Sequence, residues 1–145
     1  MDDTIRKEIT DLVEGSRDVY VASVDRDGCP TIKAMYAARV REGIRVHYLS
    51  TNTSSRRAKH FLENNKASIY FCDNKNMKGL MLSGTMEVCF DAYHKELIWQ
   101  PGDTQFYPKG VTDEDYCVFK FTAQKGNYYH LTTNVSFVFD DENWE

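Results

Sequence analysis

The chain has 145 residues, of which 41% are hydrophobic and 28% are charged, and its formal net charge is −4. A chain of this length buries roughly two-thirds of the surface that its unfolded state exposes, so it needs neither disulfides nor a structural metal to fold. The acidic balance argues against a general nucleic-acid binder, because such proteins use a basic surface to displace counterions from phosphates. We therefore expect one domain over residues 1–145 that binds no nucleic acid.

The N-terminal residues and the cysteines predict a cytoplasmic protein. The first residues include acids in an amphipathic pattern, whereas a secretory signal has a basic start and an apolar run. No segment has the length and apolar character of a membrane span. The four cysteines form no CxxC pair, and no HExxH or GxSxG motif is present. We expect free thiols, no metal site and no hydrolytic machinery.

The apolar pattern predicts an N-terminal helix followed by a series of short strands. Ile5, Ile9, Leu12 and Val13 recur at helical spacing, and this helix should end at Gly15. Segments that alternate or are rich in β-branched residues predict strands between turn residues; they cover 19–24, 31–40, 44–49, 67–73, 79–90, 116–122, 128–131 and 136–139.

The remaining pattern predicts two more helices and some details of packing. One helix should cover 55–65 with Ala58, Phe61 and Leu62 on its apolar face, and a shorter one should cover 92–99. Alternation in the strand 44–49 predicts that His47 lies on a solvent-exposed face. Many short antiparallel strands with a few short helices indicate a mainly β protein, most simply a small barrel that avoids exposed edges by closing on itself.

Charge is distributed unevenly along the chain. Between Gly28 and Leu62 there are seven basic residues and one acid, Glu42, which gives this quarter of the chain a net charge of +6 and leaves −10 for the rest; the bases are Lys33, Arg39, Arg41, Arg45, Arg56, Arg57 and Lys59. A local concentration of this kind fits a compact anion better than a polyanion.

The segment from Ser50 to Lys59 runs from a strand end through hydroxyl-rich residues into a helix start. Free backbone N–H groups and the positive end of the helix dipole favour an anion there, and Arg56 or Arg57 can clamp phosphate oxygens. The alternative interpretation is that Ser54 or Ser55 simply caps the helix while the arginines face water. The spacing alone leaves both interpretations open.

Lys33 and three aromatic residues are further candidates for a binding site. Lys33 interrupts an otherwise apolar strand, where it either reaches solvent or faces the same cavity as the Ser50 segment. Trp99, Phe106 and Tyr107 are placed to cover a planar ring, although aromatic residues more often belong to the core.

Several short motifs follow one another in a distinctive order. They are Asp-Gly-x-Pro at 27–30, a strand with the basic residue Lys33, Thr-Asn-x-x-Ser-Arg-Arg at 51–57, Glu-Asn-Asn at 63–65, a strand at 67–71, and then the segments 83–88, 95–99, 106–110 and 113–116. This order, which extends over nearly the whole chain, resembles the pyridoxamine 5′-phosphate oxidase-like FMN-binding split barrels, particularly the short general-stress-protein branch. The resemblance implies an antiparallel split β-barrel that binds FMN.

The resemblance also implies roles for individual residues. Lys33 would contact the flavin phosphate or ribityl chain, the backbone of Ala34, Met35 and Tyr36 would lie beside the ring, Ser50 and Thr51 would line the ribityl chain, and Ser55, Arg56 and Arg57 would hold the phosphate. In this family FMN lies at the interface of a homodimer, so Trp99 and Tyr107 would approach it from the partner subunit.

The sequence departs from the family pattern in two respects. Lys33 stands where arginine is common, which replaces a planar fork with a point charge and weakens the expected phosphate contact. The chain ends at Glu145 without the C-terminal Trp-x-Gly-x-x-x-Arg-Leu-His-like segment of the true oxidases, so pyridoxamine phosphate is not the expected substrate.

The leading hypothesis is an oxidoreductase that transfers a hydride through FMN to or from a small molecule, with a nicotinamide as a possible electron donor. In such enzymes the cofactor carries the chemistry, and no catalytic side chain is assigned. The alternatives are a flavin- or haem-binding module that sequesters or senses its ligand, a barrel that has lost its cofactor, and a nitroimidazole-type reductase.

Overall fold

The computed structural model describes residues 1–140, which fold into helices packed on one antiparallel sheet. The helices are α1 (Asp3–Gly15), α2 (Arg56–Glu63) and α3 (Ala92–Ile98). The strands are β1 (Asp18–Val24), β2 (Pro30–Tyr36), β3 (Val40–Glu42), β4 (Val46–Asn52), β5 (Lys66–Asp73), β6 (Lys78–Cys89), β7 (Tyr116–His130) and β8 (Thr133–Val138). Within this described part of the chain, no helix is both long and apolar enough to cross a bilayer.

The strands form an eight-stranded sheet in the order β2-β1-β5-β6-β7-β4-β3, and β8 pairs with the later part of β7. All pairs are antiparallel, which confirms the predicted mainly β split-barrel fold. The pairing of β6 with β7 shifts register between Ser83 and Gly84. A Cβ at Gly84 would lie 2.0 Å from the carbonyl oxygen of Thr122, so only glycine allows this close approach.

Two hydrophobic clusters hold the fold together. In the main cluster, α1 and α2 pack on one face of the sheet, and the ring of Phe61 meets that of Phe119 edge to face at a centroid distance of 5.2 Å. A second cluster lies under α3, where Ile98, Tyr107 and Tyr116 are buried. The second cluster therefore covers the other face of β4 and of the adjoining ends of β6 and β7.

The structure corrects several predicted boundaries. The predicted strand 31–40 divides into β2 and β3. The Ala37 amide still donates to the Arg17 carbonyl at 2.8 Å, and after this residue the chain turns away from β1 and enters β3. The predicted strand 44–49 lies instead at Val46–Asn52. The two predicted strands 116–122 and 128–131 are one strand, β7, which continues through the exposed residues Gln124 and Lys125.

Two predicted side-chain environments are wrong for a physical reason. His47 was expected on a solvent-exposed face, but it is 1% exposed and its ring lies 5.5 Å from that of Phe71. The second cluster covers the other face of β4, so alternation along this strand does not separate core from solvent. Burial lowers the pKa of His47 to about 4, and its Nε2 lies 2.8 Å from the Ile44 carbonyl oxygen. Leu62, expected beside Phe61, is 61% exposed.

Candidate functional site

A cavity of about 490 Å³ lies where α2 begins, beside the edge strand β2. Its wall is formed by Asp25, Thr31, Ile32, Lys33, Ser55, Arg56, Arg57 and His60. The fold therefore brings together Lys33 and the Ser55-Arg56-Arg57 segment, which the sequence analysis placed at one phosphate. We call this space the basic cavity.

Lys33 reaches the basic cavity because β2 is the last strand at its end of the sheet. Lys33 pairs with Val21, and directly paired residues point to the same face, so Lys33 shares the face that carries the buried Val21. No strand follows β2 in the described sheet, and the Lys33 side chain is exposed at the open edge. The strand thus presents an ammonium group next to the start of α2.

The first turn of α2 supplies both a cap and free donors. Ser55 Oγ accepts a hydrogen bond from the Ala58 amide at 3.2 Å, and the Lys59 amide donates to the Ser55 carbonyl at 3.4 Å. The Arg56 and Arg57 amides precede the first helical hydrogen bond and remain outside the helical ladder. Ser55 therefore caps the helix and also lines the basic cavity, so the two interpretations of this residue are compatible.

Asp115 fixes the loop that leads into α2, a role that the sequence gave no sign of. Its carboxylate accepts hydrogen bonds from the Asn52 side chain and the Ser54 amide, both at 2.8 Å, and its carbonyl accepts one from the Thr53 amide at 2.8 Å. Hydrogen bonds from Ser54 lower the pKa of the Asp115 carboxyl, which keeps it ionised. The Thr53 and Ser54 amides are consequently occupied within the protein.

Arg57 is the most informative residue of the basic cavity. Its side chain is half-buried, burial lowers the pKa of its guanidinium, and its Nε is buried without a hydrogen-bond partner among the described residues. Asp25, the carboxylate in the wall, forms no ion pair with Arg57, and its Oδ1 accepts the Asp27 and Cys29 amides at 2.9 and 2.8 Å. A half-buried cation with an unpartnered donor fits an anionic group such as a phosphate.

A hydroxyl and imidazole network forms another part of the wall. Ser23 Oγ lies 2.8 Å from His60 Nδ1 and 2.6 Å from Thr31 Oγ1, and Ser23 is 2% exposed. The sequence analysis missed these residues, although spacing could have found two of them. His60 follows Arg56 by one helical turn, and Thr31 precedes Lys33 by two residues on the same strand face.

The other residues predicted to contact the cofactor lie outside the wall that residues 1–140 form around the basic cavity. Ala34 and Tyr36 are on the opposite face of β2 and exposed, while Met35 packs against the main cluster. Ser50 is half-buried within hydrogen-bonding reach of the Tyr107 hydroxyl, and Thr51 is 5% exposed. Their roles stay predictions.

Trp99 and Tyr107 belong to the second cluster. The Tyr107 ring lies 4.6 Å from that of Tyr116, and the Trp99 ring lies 5.3 Å from it, measured between centroids. Tyr107 is 4% exposed and Trp99 is half-buried. Within one chain these aromatics are core residues, and the expectation that they approach a cofactor from a partner subunit stays a prediction.

An exposed apolar surface adjoins the basic cavity. It lies on β2, β1, β5 and β6, where Tyr20 pairs with both Ala34 and Tyr70, and Tyr70 pairs with Met81. Its large side chains are well exposed: Tyr20, Ile32, Tyr36, Tyr70 and Met81. Ile32 also lines the basic cavity, so the two features are continuous. We call this surface the apolar face.

Comparison with known proteins identifies relatives of this fold. Residues 5–130 match the family model described as pyridoxamine 5′-phosphate oxidase. The chain is 40% identical to a protein from Clostridium acetobutylicum related to general stress protein 26, of the pyridoxinephosphate oxidase family; the match covers 97% of this chain and 99% of that chain with a TM-score of 0.87. No curated protein sequence is significantly similar to the chain.

More distant structures share the fold. A pyridoxamine 5′-phosphate oxidase-related, FMN-binding protein from Nostoc punctiforme is 14% identical, with a TM-score of 0.68 over 99% of this chain and 93% of that chain. A haem-binding protein from Mycobacterium smegmatis is 12% identical, with a TM-score of 0.72 over 90% of this chain and 56% of that chain.

Proposed function

Because the chain belongs to the pyridoxamine 5′-phosphate oxidase family, we propose that it is a flavoprotein whose basic cavity holds the phosphate of FMN. The observation that carries this proposal is the half-buried Arg57, whose Nε has no partner among the described residues, at the start of α2. The FMN-binding relative from Nostoc punctiforme supports the choice of flavin.

Each residue of the basic cavity has a distinct task in this proposal. Arg56 and Arg57 neutralise the phosphate and donate to its oxygens, and the first-turn amides of α2 add donors. The Ser55 oxygen accepts from Ala58, which leaves its hydroxyl hydrogen for a phosphate oxygen. Lys33 contributes a mobile point charge from the opposite wall.

The remainder of the flavin would extend from this anchor along the edge of the sheet. The open edge of β2 runs along Ala34, Met35 and Tyr36, and the unpaired backbone groups of Ala34 and Tyr36 there suit the polar rim of a planar ring. Ser50 and Thr51 supply hydroxyls for the ribityl chain. When bound, FMN supplies hydride transfer, and the chain's own residues bind and orient it and limit access of water.

We further propose that the protein is a homodimer that buries the apolar face. Ile32 and Tyr36 are each 72% exposed, which is unusual for large apolar side chains that lie together on one surface. Since Ile32 belongs to both the apolar face and the basic cavity, a second copy docked there would border the cofactor. The partner's Trp99 and Tyr107 are the proposed contacts from that side.

A phosphate-specific binding experiment tests the flavin proposal. Arg57→Met should weaken FMN by about tenfold or more, because charge-assisted hydrogen bonds contribute roughly 1.5–3 kcal/mol. Riboflavin, which has no phosphate, should bind both proteins equally. The matched control is Lys59→Met, since Lys59 is an exposed cation on the same helix that does not line the basic cavity. Quenching of flavin fluorescence measures the six affinities of these three proteins for the two flavins.

The outcomes separate the competing functions. Equal losses of FMN and riboflavin in Arg57→Met would remove the phosphate role, and a chain that fails to quench FMN would refute the flavoprotein proposal. Reduction of bound FMN by NADH or NADPH without oxygen would support an oxidoreductase. Binding of haem in preference to FMN, seen as an intense haem absorption band, would favour the sensing or sequestering module that the haem-binding relative suggests.

A further inference from the structure

Three metal-binding side chains meet where β6 ends and α3 begins, outside the basic cavity. Cys89 is the last residue of β6, Asp91 is the N-cap of α3, and His94 lies in its first turn. Their ligand atoms, namely the Cys89 sulfur, an Asp91 carboxylate oxygen and a His94 ring nitrogen, all lie within 4.8 Å of one another.

Different parts of the fold hold each of these groups in place. Cys89 pairs with Val118 in the sheet. Asp91 accepts the His94 amide at 3.2 Å, and its carboxylate lies 2.8 Å from His94 Nδ1. The His94 ring also packs beside that of Tyr48 at a centroid distance of 5.9 Å. The fold thus keeps the three donors close together, with Asp91 and His94 hydrogen-bonded to each other.

The Cys89 thiol lies in the second cluster, next to the start of α3. Asp91 and His94 alone would satisfy that start, whereas Cys89 is 3% exposed and its sulfur makes a weak contact, 4.0 Å from the Glu87 carbonyl oxygen. A thiol, an imidazole and a carboxylate that lie this close together form a donor set suited to a metal ion.

We propose that Cys89, Asp91 and His94 bind one divalent ion of the zinc class, with a fourth coordination position left open. A sulfur and a nitrogen ligand select zinc-like ions over magnesium or calcium, which prefer oxygen. Binding forms a sulfur–metal bond and releases the Cys89 thiol proton to solvent, with no change in oxidation state.

The distances allow this geometry after small adjustments. Tetrahedral zinc with bonds of about 2.0–2.3 Å places its ligand atoms roughly 3.3–3.8 Å apart. Donors that lie up to 4.8 Å apart need to approach by about 1 Å, whereas His94 Nδ1 and the Asp91 carboxylate, now 2.8 Å apart, need to separate so that the ion replaces their hydrogen bond. The ion would join the end of β6 to α3, the helix that leads directly to Trp99 and the second cluster.

Cobalt(II) provides a direct test, because it occupies zinc sites and absorbs light. The full chain, treated with a chelator and then dialysed, should bind one Co²⁺ with a sulfur-to-cobalt charge-transfer band in a difference spectrum, and Zn²⁺ should remove that band. Cys89→Ala should abolish the band. Cys117→Ala is the matched control, since Cys117 is an equally buried thiol on β7 outside the cluster.

A second pair of variants separates a metal ligand from a helix cap. Asp91→Asn keeps a good N-cap residue but removes the charged ligand, so Co²⁺ affinity should fall by more than about tenfold while the metal-free Tm stays close to that of the original chain. His94→Gln should weaken Co²⁺ similarly. Absence of Co²⁺ binding, or binding unchanged in Cys89→Ala and in Asp91→Asn, would show a helix cap only and overturn the proposal.

Discussion

Arg39 and Arg57 lie in the same basic stretch of sequence, yet the fold treats them in opposite ways. Arg39 makes a two-pronged contact with the Asp103 carboxylate, including a 2.7 Å bond from Nη2, and also donates to the Ile98 carbonyl at 3.0 Å. Arg57 is half-buried with no partner for its Nε among the described residues. The comparison teaches that the count of cations alone does not identify a candidate anion site, because an arginine with a carboxylate partner is already neutralised within the fold.

The basic residues between Gly28 and Leu62 also differ in where the fold places them. Lys33, Arg56 and Arg57 line the basic cavity, whereas Arg41 donates to the Gly43 carbonyl at 3.0 Å. Arg45, whose Nε is also buried without a partner among the described residues, borders a different groove. The net charge of +6 between Gly28 and Leu62 therefore overstates the charge of the cavity. The location of this basic stretch in the sequence was nevertheless informative, since three of its basic residues meet in the basic cavity.

The largest effect should come from removing the partner of the structural arginine. Asp103→Ala should lower the free energy of unfolding by about 3–4 kcal/mol, because it leaves the Arg39 guanidinium, with a side chain 24% exposed, without its carboxylate. Chemical denaturation measures this loss. In the double variant Arg39→Met with Asp103→Leu, most of the loss should be recovered. A single variant as stable as the original chain would mean that the pair is incidental.

The next largest effect is the pH dependence of stability that arises from the buried, neutral His47. Burial lowers the pKa of His47 from 6.5 to about 4, so the unfolded chain binds the additional proton first as the pH falls. Its contribution to stability is complete above pH 6.5 and is lost as the pH falls through 4. From these two pKa values, we expect a loss of about 2 kcal/mol between pH 7 and pH 5.

The variant His47→Gln isolates this contribution from that of other histidines. Glutamine can still donate to the Ile44 carbonyl but does not titrate, so the decline in unfolding free energy between pH 7 and pH 5 should become shallower by about 2 kcal/mol. Urea denaturation at a series of pH values gives the comparison. An identical decline in both proteins would assign the pH dependence to other groups.

Sequence patterns predicted most of this fold because periodicity and turn residues are local properties. The N-terminal helix ends at Gly15 as expected, and most strands lie within a few residues of their predicted positions. His47 was misjudged because it faces Phe71 and Phe121 in the main cluster, while α3 and the second cluster cover the opposite face of β4, and all of these segments come later in the chain. Periodicity along one strand carries no information about a layer that another segment adds.

The candidate site was predicted in part for a similar reason. The Ser55-Arg56-Arg57 segment is contiguous and its anion-binding chemistry is local, while Lys33 stood out as a lysine in an apolar strand and the family resemblance implied its contact with the flavin. Asp115 and Ser23 were missed, because their importance arises from contacts with residues far away in sequence. The pairing of Arg39 with Asp103 was equally invisible without the fold.

A smaller effect on stability, with the opposite sign, is expected at Arg57. Arg57→Met should leave the free energy of unfolding of the flavin-free chain unchanged or raise it by up to about 1 kcal/mol, since it removes a half-buried charge with an unpartnered donor. Arg39→Met should instead destabilise the chain, because it leaves the buried Asp103 unpaired. Denaturation curves of the two variants give their free energies of unfolding. A similar loss of stability in both would contradict the expected difference between Arg39 and Arg57.

The smallest effect should come from Lys33→Arg, which changes the shape of a charge without changing its sign. Lys33 is exposed at the sheet edge, so stability should stay within about 0.5 kcal/mol of the original value. An arginine can offer two parallel donors to a phosphate, and FMN affinity should therefore rise by roughly threefold to tenfold while riboflavin affinity stays constant. Lys59→Arg, on the exposed side of α2 outside the basic cavity, should change neither affinity. If Lys33→Arg fails to strengthen FMN, or strengthens riboflavin equally, then Lys33 does not face the phosphate, and the cationic contribution to this cavity comes from the start of α2 alone.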